Sequence, residues 1–390
     1  MQIASLIVSV SAVVFIAAEN GDNGLVAPLI AEIKNAGPIG AGQKEVTDAW
    51  RNLADVDVGR LPEVLAGLDD AGPLAANWIR SAVDAIVERA EAATSPRPSP
   101  SGRGSAGDTL PREALERFLF DTRHAPRGRR LAYEILLRGD PALADRVLPK
   151  MLNDPSLEMR RDAVARVFAE ADKLAEAEPE DKPPVVAAYQ KALDAARDLD
   201  QVNRAAERLR QLGQKVDLPR HFGFITAWHV IGPFDNRDKK GLAVAYPPER
   251  ETDFAASCTG QNGDVKWRDY ATTDEFGQVD LNRAIGKHTG AAAYAAAEFA
   301  SDRDRPIELR LGTENACKLW LNGKLLVTSE VYHSFTSMDQ FVGRGTMKAG
   351  RNLILVKLCQ NEQTEEWAQV WQFQLRVCDA TGNAILPREK

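Results

Sequence analysis

The sequence predicts a chain of more than one domain, helical first and β-rich second. From Leu25 to about Gly213 apolar residues recur at spacings of three and four, against a background of Ala, Leu, Arg and Glu. After Lys215 that period stops. Short runs rich in Gly, aromatic and β-branched residues then alternate with turn signals, the pattern of a β-sandwich or barrel. A length of 390 residues suits two or three domains better than one core.

The first stretch, MQIASLIVSVSAVVFIAAEN, is uncharged and almost wholly apolar from Ile3 to Ala18, and it ends on the small residues Ala17 and Ala18. This fits the apolar region and cleavage site of a secretory signal, although no basic residue precedes the run. The run is short for a spanning helix, which needs about 20 apolar residues, and ENGDNG follows and breaks any helix. The expectation is a periplasmic or extracellular protein with residues 1–18 as its signal peptide and no membrane span after cleavage.

In the helical region the breakers NAGPIGAG, DDAGP, RGDP, NDPS and EPEDKPP carry the Gly or Pro chemistry that stops one helix or starts the next. Two pieces look alike: LPEVLAGLDDAGPLAANWIRSAVDAIVERA from Leu61 and VLPKMLNDPSLEMRRDAVARVFAEA from Val147. Each runs Leu-Pro, an apolar helix, an Asp-containing turn, then a second helix with Arg before Ala-Val. The second copy has Leu148-Pro149, Asp154-Pro155, Arg160-Arg161 and Ala163-Val164. This resembles the HEAT repeat, whose paired helices stack because one pair alone cannot bury its apolar face. The resemblance implies an irregular α-solenoid over residues 19–93 and 109–214, with a surface for a protein partner. A low-complexity insert, residues 94–108, interrupts it. Its Gly102-x-Gly104-x-x-Gly107 lacks the preceding strand and βαβ unit that a phosphate-binding turn requires, so the match is compositional.

In residues 215–390 the signals follow a specific order. IGPFDN (Ile231 to Asn236) leads to YPPE, Trp267, AYAAAEF, ELRLGTENACKLWLNGKLL, GRNLILVKL and WQFQLRVCDATG. This looks like the galactose-binding-like jelly-roll β-sandwich, in which the LWLNG hairpin and the Gly-x-Asn strand start recur. That fold includes many carbohydrate-binding modules and the non-catalytic sandwich of family 2 glycosidases. Its combination with HEAT-like helices is similar to secreted planctomycete-type proteins of unassigned function. The resemblance implies a glycan ligand or docking against a neighbouring part of the chain.

The hairpin can be read in detail. Asn322-Gly323 suits a type I′ turn, which needs positive φ at both central residues. A two-residue loop pairs Leu321 with Lys324, Trp320 with Leu325 and Leu319 with Leu326. Trp320, Leu325 and Val327 then share one face, and Leu319, Leu321 and Leu326 the other. Both faces are apolar, so both should be covered, and Trp320 becomes a buried packing residue rather than a sugar platform.

A net charge of −7 argues against nucleic acid as a partner, since phosphate contact needs a basic face. The five histidines form no HExxH, no GxSxG elbow is present, and nothing marks a pair of carboxylates, so no catalytic residue is assigned. In DNRDKKG, Asp235, Asn236 and Asp238 are hard oxygen donors that could hold a structural Ca²⁺. A plain Asx-rich turn closed by Gly241 accounts for the same residues, and no other cofactor is expected. A sugar surface needs aromatic faces with amide or acid partners. Tyr332 and His333 in SEVYHSFTSMDQF and Asn361, Gln363 and Trp367 in CQNEQTEEWAQVW supply them; the competing reading packs Trp367 over the sandwich end. The basic cluster Arg123, Arg127, Arg129 and Arg130 suits either an acidic partner or pairing among the helices. The four cysteines allow up to two disulfides or four buried thiols.

Together these readings give a non-catalytic exported binding or scaffold protein. The helical repeats would meet a protein, and the sandwich would bind a glycan or dock within the chain. The alternative is a carbohydrate-active accessory protein or a hydrolase whose site matches no motif.

Overall fold

The computed structural model describes residues 25–37, 41–94, 110–177 and 182–388. The signal-like residues 1–18 and residues 95–108 of the insert lie outside them. The chain forms two compact units, one ending at Val147 and the other beginning at Leu148. This boundary coincides with the start of the second repeat-like copy, not with the change from helix to strand near Lys215. The helices from Leu157 to Phe222 therefore belong to the same unit as the sheets.

The first unit is helical. Helix Gln43–Ala54 buries Val46, Ala49 and Leu53 on one stripe. Helix Pro73–Thr94 starts on proline, whose missing N–H is free of cost at that position, and buries Ile79, Val83 and Ile86 at helical spacing. The basic cluster is consumed by packing. Arg127 donates to the Leu68 carbonyl at 2.7 Å and to that of Ala71, just beyond helix Leu61–Ala66. Arg129 is fully buried and donates from Nε to the Leu119 carbonyl at 2.7 Å. Arg123 pairs with Asp121, and Arg130 Nε with Glu134 at 2.9 Å. His124 Nδ1 lies 2.8 Å from Asp69 Oδ2.

In the second unit, helices Leu157–Ala177, Lys182–Ala195 and Leu199–Gln211 enclose a core that includes Phe168, Tyr189, Leu193 and Val202. That core continues through Phe222 and Phe224, and half-buried Phe276 and Met338 pack on it. Polar contacts extend the join. Arg160 Nη1 and Arg197 Nε both donate to Asn383 Oδ1, at 3.1 and 2.8 Å. Arg376 donates to Asp339 at 2.6 Å and to the Phe222 carbonyl at 3.4 Å.

The strands are β1 Ala227–Asp235, β2 Ser257–Gly260, β3 Gly263–Lys266, β4 Arg268–Ala271, β5 Val279–Asp280 and β6 Ala291–Ser301. They continue with β7 Arg305–Thr313, β8 Ala316–Leu321, β9 Lys324–Ser329, β10 Phe341–Met347, β11 Gly350–Gln360 and β12 Gln372–Cys378. One sheet has the order β4-β1-β6-β11-β8-β9, the other β10-β7-β12-β5, and β2 and β3 form a separate hairpin. All pairings are antiparallel. Between the two larger sheets lie Trp228, Phe299, Leu319, Val356, Trp371 and Phe373, among others.

The six-stranded sheet is covered on its second face as well. Ile231, Tyr294, Trp320 and Leu355 pack there with Leu242, Cys258 and half-buried Tyr246, Phe254 and Trp267 from the segment between β1 and β4. Trp320 is 8 % exposed, as the hairpin reading requires. Asn322 and Gly323 have φ of 51° and 79°, the type I′ geometry. Leu321 pairs with Lys324 and Trp320 with Leu325, but a bulge then opposes Leu319 to Val327 instead of Leu326. The extra residue turns both Leu326 and Val327 toward the inner core and leaves Leu325 45 % exposed, which corrects the expected face of Val327.

One charge is buried in this outer layer. Lys357 is wholly buried, and its Nζ donates to Glu249 Oε1 at 2.7 Å and to the carbonyls of Val244 and Leu242 at 2.6 and 3.3 Å. The rings of Tyr246 and Tyr294 lie 5.2 and 5.4 Å from it. Three acceptors satisfy its three N–H groups, so the buried ammonium is tolerated, and burial pushes its pKa down. The four cysteines are free buried thiols. Cys317 and Cys359 are on adjacent strands but face opposite sides of the sheet.

Candidate binding site at one end of the sandwich

Strand register brings the sequence-marked residues together. Asp235 and Gln360 both pair with Ala291, Cys359 with Ala316, and Cys317 with Ser329. The segments following Asp235, Ser329 and Gln360 therefore emerge at one end of the sandwich. Both candidate groups lie there.

Tyr332, His333 and Trp367 form a continuous aromatic ledge. The Tyr332 and His333 ring centroids are 6.3 Å apart, and His333 meets Trp367 edge to face at 5.2 Å. Trp367 is 59 % exposed. Val331 and Phe335 in the same loop are also exposed, Phe335 at 96 %. His333 has a φ of 59°, in the left-handed region that Asn, Asp and His enter more readily than other non-glycine residues, and its Nε2 is buried without a hydrogen-bond partner.

The amides serve the loop instead of the open surface. Asn361 is buried, and its Nδ2 donates to Gln363 Oε1 at 2.7 Å while its Oδ1 accepts from the Gln363 N–H at 3.1 Å. Asn361 thus fixes the turn that carries Trp367, and Gln363 stands exposed beside it.

The candidate calcium group is turned to other partners. Asp235 takes both Nε and Nη2 of Arg237, at 2.8 and 2.9 Å, and Asp238 takes Lys240 at 2.9 Å. The Arg237 guanidinium holds the Asp235 carboxyl at a pKa of about 2. Asn236 points inward, donating to the Gln360 carbonyl at 2.9 Å and the Tyr332 hydroxyl at 3.1 Å. Among the described residues no group of three or more His, Cys, Asp or Glu side chains is placed to hold a metal ion. Asn236 therefore positions Tyr332.

Lys239 was not marked in the sequence, yet its Nζ lies 5.2 Å from the Tyr332 ring centroid. Asp238 and Lys239 both have positive φ, and this backbone turn carries the lysine over the ring. Two adjacent non-glycine residues in that conformation leave no periodic signal in the sequence. Burial raises the Tyr332 hydroxyl pKa to about 12, so that group is a neutral donor and acceptor at neutral pH.

No protein-family model matches the chain, and no curated protein does. Solved structures match weakly. A β-glucosidase from Kluyveromyces marxianus in complex with glucose has a TM-score of 0.25 and 12 % identity over 39 % of this chain. A GH31 α-xylosidase from Xanthomonas citri has a TM-score of 0.18 and 12 % identity over 40 % of the chain. The chain spans 16 % of the length of each of these two proteins. The alkylpurine DNA glycosylase AlkC of Pseudomonas fluorescens, bound to DNA, has a TM-score of 0.18 and 11 % identity over 92 % of this chain and 94 % of its own. Likenesses of this size carry no argument about activity.

Proposed function

We propose that this chain is a non-catalytic exported binding protein. In this reading an irregular HEAT-like solenoid meets a protein partner. A galactose-binding-like jelly roll takes a glycan on the ledge of Tyr332, His333 and Trp367. The observation that carries the reading is the exposed Trp367 ring held against His333 by a turn that Asn361 fixes. Leaving a tryptophan open to water forgoes its burial energy, which is of the order of 2–3 kcal/mol for a large apolar side chain. An exposed ring of this kind suits the apolar C–H face of a sugar.

Catalysis at this end lacks support. Asp235 and Asp238 are each neutralised by a neighbouring cation, and Glu362 accepts from the Asp238 N–H. Affinity electrophoresis of the full chain through gels containing a panel of polysaccharides tests the reading. Retardation by at least one glycan, lost in Trp367→Ala, is the expected result; unretarded migration in every gel contradicts it.

A further inference from the structure

A second groove lies at the opposite end of the six-stranded sheet, on its outer face. Its volume is about 750 Å³, within the range of roughly 300–1,000 Å³ typical of small-molecule sites. Register decides which side chains enter it. Ala227 pairs with Ala271, His229 with both Asp269 and Ala296, Glu298 with Leu353, and Ala300 with Arg351. Residues two apart share a face, so Ala227, His229, Asp269, Glu298, Ala300 and Arg351 all project to the side that holds Ile231 and Tyr294.

The chemistry of these residues is ordered. Exposed Ala227 and half-exposed Ala300 give a floor of methyl groups and open backbone. On one side His229 Nδ1 meets Asp269 Oδ1 at 2.5 Å, and on the other Arg351 meets Glu298. The His229 ring lies 4.1 Å from that of Phe254, which in turn meets Trp267 edge to face at 5.2 Å. Each carboxylate already has its own donor, so the groove offers alternating donors and acceptors and not a field of one sign. A strongly charged ligand would gain little there. A polyol would gain at every position, because each hydroxyl both donates and accepts, and its C–H surface matches the alanine floor.

Asp269 and Glu298 stand on β4 and β6 with β1 between them, each on its own donor. We propose that this groove is a second saccharide site, for a neutral oligosaccharide, remote from the ledge and independent of it. It shares with the ledge reading only the class of ligand.

The test is calorimetric titration of the full chain with neutral gluco-, xylo- and manno-oligosaccharides. Four proteins are compared: wild type, Trp367→Ala, Ala227→Trp and the double variant. Ala227 is exposed, so the new ring fills the groove without entering the core. Glu298→Gln, which keeps shape and removes one charged acceptor, serves as a second probe, and circular dichroism confirms that each variant is folded. The expected result is a binding component that survives Trp367→Ala, is absent from Ala227→Trp and from the double variant, and weakens about tenfold in Glu298→Gln. Binding abolished by Trp367→Ala alone overturns the groove proposal and leaves the ledge standing. Binding that persists in the double variant overturns both assignments. Absence of binding by the wild type to every oligosaccharide overturns the groove proposal, and the ledge reading then rests on the polysaccharide gels.

Discussion

The side chains of Asn322 and Asn352 hydrogen-bond to each other, with Asn322 Nδ2 donating to Asn352 Oδ1 at 2.8 Å. Asn322 Oδ1 accepts from the Leu353 N–H at 2.8 Å, while Asn352 Nδ2 donates to the carbonyls of Lys348 and Gly350 at 2.8 and 3.1 Å. The turn of one hairpin is thus fastened to the start of β11, and Asn352 is fully buried. Asn352→Ala leaves several of these partners unpaired in a dry site and should lower stability by about 3 kcal/mol. Asn322→Gly keeps the turn geometry at an exposed position and should cost about 1 kcal/mol. Urea midpoints of the two variants check the ranking, and equal losses would contradict it.

Lys357 and Glu249 are a pair that should fail when halved. Lys357→Met strands the Glu249 carboxylate, whose side chain is 12 % exposed, and should cost about 3–5 kcal/mol. Adding Glu249→Gln removes the orphaned charge and should recover part of that loss. A double-mutant cycle on thermal unfolding reads the coupling. Strictly additive losses would mean that the pair does not act as a unit.

His221 gives the protein an acid-sensitive step. Burial, with the Arg197 charge second, lowers its pKa to about 4, whereas an unfolded histidine titrates near 6.5. Between those values the unfolded chain binds a proton that the folded chain refuses, so this contribution declines as pH falls from about 6.5 toward 4. From pH 6.5 to 5 the loss should be about 1.5 kcal/mol. Urea titrations at the two pH values should show this slope in the wild type and a flatter one in His221→Gln. The same slope in both would remove His221 as its source.

The helices before the sandwich should be needed for its stability. A fragment of residues 148–388 keeps the core of Phe168, Tyr189, Phe222 and Phe224 and the Arg160–Asn383–Arg197 contact. A fragment of residues 215–388 exposes Phe222, Phe224 and Phe276 and strands the polar group of Asn383. Cooperative thermal unfolding is expected of the first, and a lower or absent transition of the second. Equal melting temperatures would contradict this dependence.

Periodic patterns were legible in the sequence, and conformational details were not. The helix-to-strand change near Lys215 and the Asn322-Gly323 turn could be read because side-chain period and positive φ leave residue-type signatures. The burial of Trp320 followed from that turn alone. The bulge at Leu319 was hidden, because Leu326 and Val327 are both apolar and either register satisfies the pattern. The unit boundary at Val147 was hidden for a related reason. A helix that packs on a sheet carries the same apolar stripe as one that packs on another helix, so sequence alone placed the division at the change of period. At the ledge, the sequence marked Tyr332, His333 and Trp367 by type. It did not mark Lys239, which the positive-φ turn places, or the positioning role of Asn236, which depends on strand register. The His229 groove was missed because its residues come from four different strands, β1, β4, β6 and β11.

Glycan binding at the ledge is the central claim, and one titration tests it most directly. The full chain and its Trp367→Ala variant are titrated with the glycan that retards the wild type most. The wild type should bind, and loss of the exposed ring should weaken binding roughly 30-fold, the equivalent of about 2 kcal/mol for a dominant aromatic contact. Unchanged affinity in the variant, with its fold confirmed intact, would contradict the account.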